Sequence, residues 1–133
     1  MAISLEGQKI LIADDEPIIA LDLAQRLEAL GAEPIFAHDF PTALRVANFE
    51  QLSAAVIDLQ LKDQVALPVC AVLEQREIQF VIYTGYEAEQ AGEYASMVVG
   101  KPGVDALLNK LAVFAKAAVS EAKPINMLEP CTS

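Results

Sequence analysis

Five side chains in this sequence are of types, and in places, that could handle a charged group: Asp14, Asp15, Asp58, Thr84 and Lys101. Each follows a short apolar run. Lys9-Ile10-Leu11-Ile12-Ala13 stops on Asp14-Asp15-Glu16, and Ala54-Ala55-Val56-Ile57 stops on Asp58. Phe80-Val81-Ile82-Tyr83 stops on Thr84-Gly85, and the weaker Met97-Val98-Val99 stops on Gly100-Lys101-Pro102. Such runs read as buried strands. Laid parallel, their C-terminal ends bring three carboxylates, one hydroxyl and one ammonium to one sheet edge. That is the edge where open parallel sheets gather ligands.

The charges say what the edge needs. Two carboxylates ~5 Å apart repel by roughly 3 kcal/mol at an effective dielectric near 20. Three such pairs are costly unless a cation or a raised pKa relieves them. With oxygen ligands alone, the fitting cation is Mg²⁺ or a similar hard ion. Each residue also has a plainer reading. Asp14 and Asp15 could simply cap a helix starting at Pro17, and Asp58 could be a loop acid. Thr84-Gly85 is an ordinary turn, and Lys101 alone reads as a solvated lysine. His38, the single histidine, reads as a packing or solvated residue at the far strand.

The elements that must position these groups follow from periodicity and breakers. After the strand Lys9 to Ala13, Pro17 opens a helix to about Leu30, with Gly31 beyond its end. Ile19, Leu23, Leu27 and Leu30 share one face of it. Glu33 to Ala37 is a second strand, and Asp39 caps a helix from Phe40 to Phe49. The strand Ala54 to Asp58 comes next, then a loop from Leu59 to Leu67. Pro68 stands in the first turn of a helix to about Glu77, whose Val69, Val72 and Leu73 face the sheet. The fourth strand is Phe80 to Tyr83. Glu87 to Ser96 is a weak helix with Gly92 inside it, and the fifth strand lies near Met97 to Val99. A last helix spans about Val104 to Ala122 and buries Val104, Leu108, Leu111, Ala115 and Ala118. Strands alternating with helices imply an α/β fold. The expected form is a doubly wound, five-stranded parallel sheet of order 2-1-3-4-5, flavodoxin-like, with helices on both faces.

The whole chain narrows the function. Its 133 residues, 54% of them hydrophobic, suffice for one domain with a real core, here residues 1–122. Residues 123–133 read as a flexible tail, too short to be an output domain. A net charge of -10 argues against binding nucleic acid. No apolar run is long enough to span a membrane, and no secretory signal opens the chain. Cys70 and Cys131 have no metal-ligand spacing, so a cytoplasmic location with reduced thiols is expected.

Taken together, these residues resemble those of the receiver domain of two-component response regulators, over residues 9 to about 120. Ile82-Tyr83-Thr84-Gly85-Tyr86 is similar to the Phe-Ala-Thr-Gly-Tyr signature of one subgroup of stand-alone receivers. The resemblance implies that Asp58 accepts a phosphoryl group from the phosphohistidine of a histidine kinase or phosphotransfer protein. It implies Mg²⁺ held by Asp15, Asp58 and the Gln60 carbonyl, with Asp14 acting through water. Lys101 and Thr84 would cover the other phosphoryl oxygens, and Lys101-Pro102 would be a cis peptide. Output would pass through an unidentified downstream protein, or the chain would be a phosphate relay or sink. Two departures are plain. Val98 stands where receivers usually carry a Tyr or Phe switch residue, and Gly103 follows the Lys-Pro pair. Tyr86, with Thr84, is therefore the candidate switch. Ile18 and Leu21 point away from the buried face of the first helix and are the candidate docking residues for the phosphodonor.

Two other classes compete. A small phosphatase with an aspartyl nucleophile wants a second Asp two residues on, where this chain has Gln60. A flavin- or nucleotide-binding domain wants a glycine-rich phosphate loop after the first strand, where this chain has two acids.

Overall fold

A computed structural model describes residues 4–85 and 88–115. Five strands form one parallel sheet: β1 (Lys9–Ala13), β2 (Glu33–Ala37), β3 (Ala54–Ile57), β4 (Gln79–Thr84) and β5 (Val98–Gly100). Their order is 2-1-3-4-5, as the alternation of elements implies.

The strands are apolar on both sides because both faces are covered. Alternation along each strand sends successive residues to opposite cores. Leu11, Ala55, Ile57, Phe80 and Ile82 join one core with α2 (Phe40–Phe49) and α3 (Leu67–Gln75). Ile10, Ile12, Val56, Val81 and Tyr83 join the other, with α1 (Pro17–Ala29) and the helix over residues 104–115, here α4. No described helix is long and apolar enough to cross a membrane.

Helix ends follow local chemistry. Pro17 opens α1, and Gly31 at φ 97 closes it by donating to the Glu28 carbonyl, while Ala32 donates to Leu27. The Asp39 carboxylate accepts from the Thr42 N–H at 2.9 Å, and the Thr42 side chain, followed by that N–H, holds the Asp39 pKa below its usual value. Leu5 is buried, and its N–H donates to the Leu30 carbonyl at 2.8 Å, so the lead is strapped across the end of α1.

Several expectations need correction. Ala20 and Ala24 share the centre of the α1 interface with Leu23 and Leu27, while Ile19 and Leu30 are only half buried at its margin. The stretch expected as a loop from Leu59 to Leu67 contains a hairpin, Gln60–Leu61 antiparallel to Gln64–Val65, with Lys62 at φ 56 in its turn. The helix α3 stops at Gln75, because Glu77 takes a positive φ. Ala88–Met97 is 3-10 rather than α-helical and is kinked at Gly92. In α4, Leu107 and Leu111 are fully buried, whereas Val104, Leu108 and Ala115 are half buried. Ala118, the expected tail 123–133 and Tyr86 lie outside the described residues.

Candidate phosphoryl-transfer site

The sheet itself aligns the site. Ala13 is level with Ile57, Ile57 with Ile82, and Thr84 with Gly100. The acids that follow continue the ladder by one bond each. The Asp58 N–H donates to the Ala13 carbonyl at 2.8 Å, and the Asp14 N–H to the Ala37 carbonyl at 3.0 Å. The Lys101 N–H donates to the Thr84 carbonyl at 2.9 Å, and the Lys101-Pro102 peptide is cis. Backbone hydrogen bonds thus fix where each side chain starts.

The side chains then converge on one ammonium. Lys101 Nζ lies 2.9 Å from Asp58 Oδ2, 2.9 Å from Asp14 Oδ2 and 3.0 Å from Glu16 Oε1. It also sits 5.7 Å from the centre of the Tyr83 ring. Burial alone would lower the Lys101 pKa. Hydrogen bonds to Asp58, Asp14 and Glu16 outweigh it and hold the group above its ordinary value. Asp14 is shifted up, first by burial, against the opposing pull of the Glu16 N–H and of Lys101.

The pocket over this fan has a volume of about 530 Å³ and is lined by Asp15, Glu16, Asp58, Gln60, Lys62 and Lys101, among others. One oxygen from each of Asp14, Asp15, Glu16 and Asp58 lies within 4.8 Å of the other three. An all-oxygen cluster opening onto solvent fits a hard cation, and no histidine or cysteine belongs to it. Asp15 Oδ2 accepts from the Lys62 N–H at 2.7 Å, tying the hairpin to the acidic turn. The Gln60 N–H stands 3.5 Å from Asp58 Oδ1, a long contact.

Comparison with known proteins shows what the arrangement is similar to. No family model matches the chain. The alkaline phosphatase synthesis transcriptional regulatory protein PhoP of Bacillus subtilis is 36% identical over 76 residues, 57% of this chain and 32% of that protein. The chain therefore spans about a third of that relative's length. The Francisella response regulator 1452 receiver domain superposes with a TM-score of 0.73 at 22% identity, over 84% of this chain and 99% of the other. A Burkholderia pseudomallei response regulator, solved with a phosphorylated aspartic acid, a calcium ion and citrate, gives 0.68 at 28% identity, over 90% and 75%. The chain has the flavodoxin-like fold of response regulator receiver domains. The response regulator protein TrrA of Thermotoga maritima, in complex with Mg²⁺-BeF, gives 0.71 at 21% identity, over 80% and 98%.

Of the residues singled out in the sequence, this fold brings Asp14, Asp15, Asp58, Gln60 and Lys101 together. Thr84 ends β4 at the same edge but is fully buried and does not line the pocket. His38 stacks on Phe36 and places Nδ1 3.1 Å from the Asp14 carbonyl, so it packs against the acidic turn from outside. Ile18 and Leu21 are 83% and 55% exposed. Val98, in the position of the usual switch aromatic, is half buried. Glu16 was missed as a site residue. Its place in the run Asp14-Asp15-Glu16 was the available signal, but contact with Lys101 depends on β5 arriving opposite β1.

Proposed function

We propose that this receiver takes a phosphoryl group from the phosphohistidine of a histidine kinase or histidine phosphotransfer protein onto Asp58. The observation that carries this reading is the buried Asp58 carboxylate, 2.9 Å from the Lys101 ammonium, on the wall of a solvent-open acidic pocket. An Asp58 oxygen attacks phosphorus in line. The P–N bond breaks, its electron pair stays on the donor imidazole, and a P–O bond forms to give an acyl phosphate. Lys101 neutralises one phosphoryl oxygen, and the Thr84 hydroxyl, buried behind the pocket in this structure, would have to turn toward another. Asp15, Asp58 and the Gln60 carbonyl would hold Mg²⁺, with Asp14 acting through water. The ion, when bound, supplies the remaining neutralisation of phosphoryl charge.

The chain catalyses only its own phosphorylation and dephosphorylation, in the cytoplasm. Gln60 stands where an aspartyl phosphatase would want its acid, which disfavours turnover of small substrates. Ile18 and Leu21 dock the donor's helices, beside the acidic turn that borders Asp58. Output passes to a downstream protein by contact, with Thr84 and Tyr86 as the switch, or the chain works as a phosphate relay or sink.

The test is direct. Incubation with phosphoramidate and Mg²⁺ should add one phosphoryl group, labile to base and hydroxylamine, and Asp58→Asn should abolish it. Label persisting on that variant would refute the assignment.

A further inference from the structure

Lys101 offers three N–H donors, and in this structure three carboxylates lie within hydrogen-bond distance of them. A phosphoryl oxygen arriving at Asp58 needs one of those protons. The three partners are not equally fixed. Asp14 is buried, and its second oxygen is held by the Glu16 N–H at 2.9 Å. Asp58 is buried and is itself the reacting group. Glu16 reaches Lys101 from the rim, with 56% of its side chain exposed. Water can take over its solvation when it lets go, so its contact is the weakest of the three.

We propose that Glu16 is a positioning residue. It occupies one proton of Lys101 in the resting site, and its release sets how readily Lys101 reaches an incoming phosphoryl group. The inference rests on the phosphoryl-transfer reading of Asp58. It concerns a side chain that contributes nothing else visible to the fold. Glu16 is the N-cap residue of α1, but its side chain makes no capping bond, and its backbone N–H remains on Asp14 whatever side chain it carries.

The experiment follows phosphorylation by phosphoramidate and Mg²⁺, reading the rate constant by intact mass. It compares wild type, Glu16→Gln, Lys101→Arg and the double variant. The neutral amide is a poorer acceptor for an ammonium, so Glu16→Gln should raise the rate at least about threefold, matching the modest strength of an exposed ion pair. Arginine has five donors and can serve all three carboxylates with protons to spare. The gain from Glu16→Gln should therefore vanish in the Lys101→Arg background, a coupling that a merely structural role for Glu16 would not produce.

Labelled wild type with a Glu16→Gln rate equal to or below it overturns the inference and leaves Asp58 in place as acceptor. A gain that persists undiminished with Lys101→Arg also overturns it, because Glu16 would then act by another route. Wild type that takes no label under these conditions overturns the phosphoryl-transfer reading, and the inference falls with it.

Discussion

Lys101→Met tests whether the ammonium holds the acidic edge together. The substitution keeps a four-atom apolar stem, one atom shorter than lysine, and removes the charge. At 2.9 Å and an effective dielectric near 20, each ion pair with Asp14 or Asp58 is worth about 6 kcal/mol before desolvation is subtracted. Losing one partner of a buried pair typically costs about 3–5 kcal/mol, because a charge is left uncompensated. The pocket is open to solvent on one side and Glu16 is exposed, so the lower figure of about 3 kcal/mol applies. Unfolding entropy is about 2.1 cal/mol/K per residue. Over 133 residues that gives roughly 0.28 kcal/mol/K, so the melting temperature should fall by about 11 °C.

The pH dependence has a definite sign. Burial already raises the Asp14 pKa, and the opposing pull of Lys101 would be gone. A carboxyl whose folded pKa lies above its unfolded value costs stability while ionised, and that cost is relieved as pH falls through the folded pKa. The deficit of the variant should therefore be largest at neutral pH and shrink toward pH 5. Circular dichroism melts in EDTA, with urea titrations at pH 7 and pH 5, measure it. A deficit below about 1 kcal/mol at pH 7, or one equal at both pH values, would refute the reasoning.

Three further outcomes are expected. Millimolar Mg²⁺ should raise the melting temperature by mass action, by about 2.7 kcal/mol of added stability at a hundredfold excess over Kd. Asp15→Ala should remove that gain, and calorimetry in both proteins checks it. The pair Ile18→Ala and Leu21→Ala should slow phosphotransfer from the cognate donor about tenfold, equivalent to 1.4 kcal/mol. Labelling by phosphoramidate should continue at the wild-type rate, and an unchanged donor rate places the contact elsewhere. Gly31→Ala should destabilise by about 2 kcal/mol, since the residue has φ +97 and a Cβ there would lie 2.9 Å from Glu6 Cα. A chemical melt within about 0.5 kcal/mol of wild type would contradict this.

The strands and their order were legible because parallel strands buried on both faces are uninterrupted apolar runs with polar stops. The gathering of Asp14, Asp58, Thr84 and Lys101 at one sheet edge was legible for the same reason, each standing at or beside the stop of an apolar run. What escaped detection lacks that signature. The hairpin at Gln60–Leu61 and Gln64–Val65 has two residues per strand, too few for any period to register. Leu107 was overlooked because Leu108 beside it gave an equally good apolar stripe, and only packing against the sheet chooses between them. Ala20 and Ala24 are small, and their burial marks how closely α1 approaches the sheet rather than how apolar they are. Glu16 looked like the tail of an acidic turn, since its partner is distant in the chain.

The bond from the Lys62 amide to Asp15 turns a backbone proton into an observer of the pocket. Its partner oxygen belongs to a carboxylate that is half exposed and is one of the acidic cluster. Any charge arriving on Asp15 must change how strongly that oxygen accepts. Lys62 sits in a turn at positive φ, outside the main sheet, so its N–H belongs to no core strand's ladder. The amide resonance of Lys62 is thus a label the chain already carries, able to report occupancy of the pocket without dye or substitution.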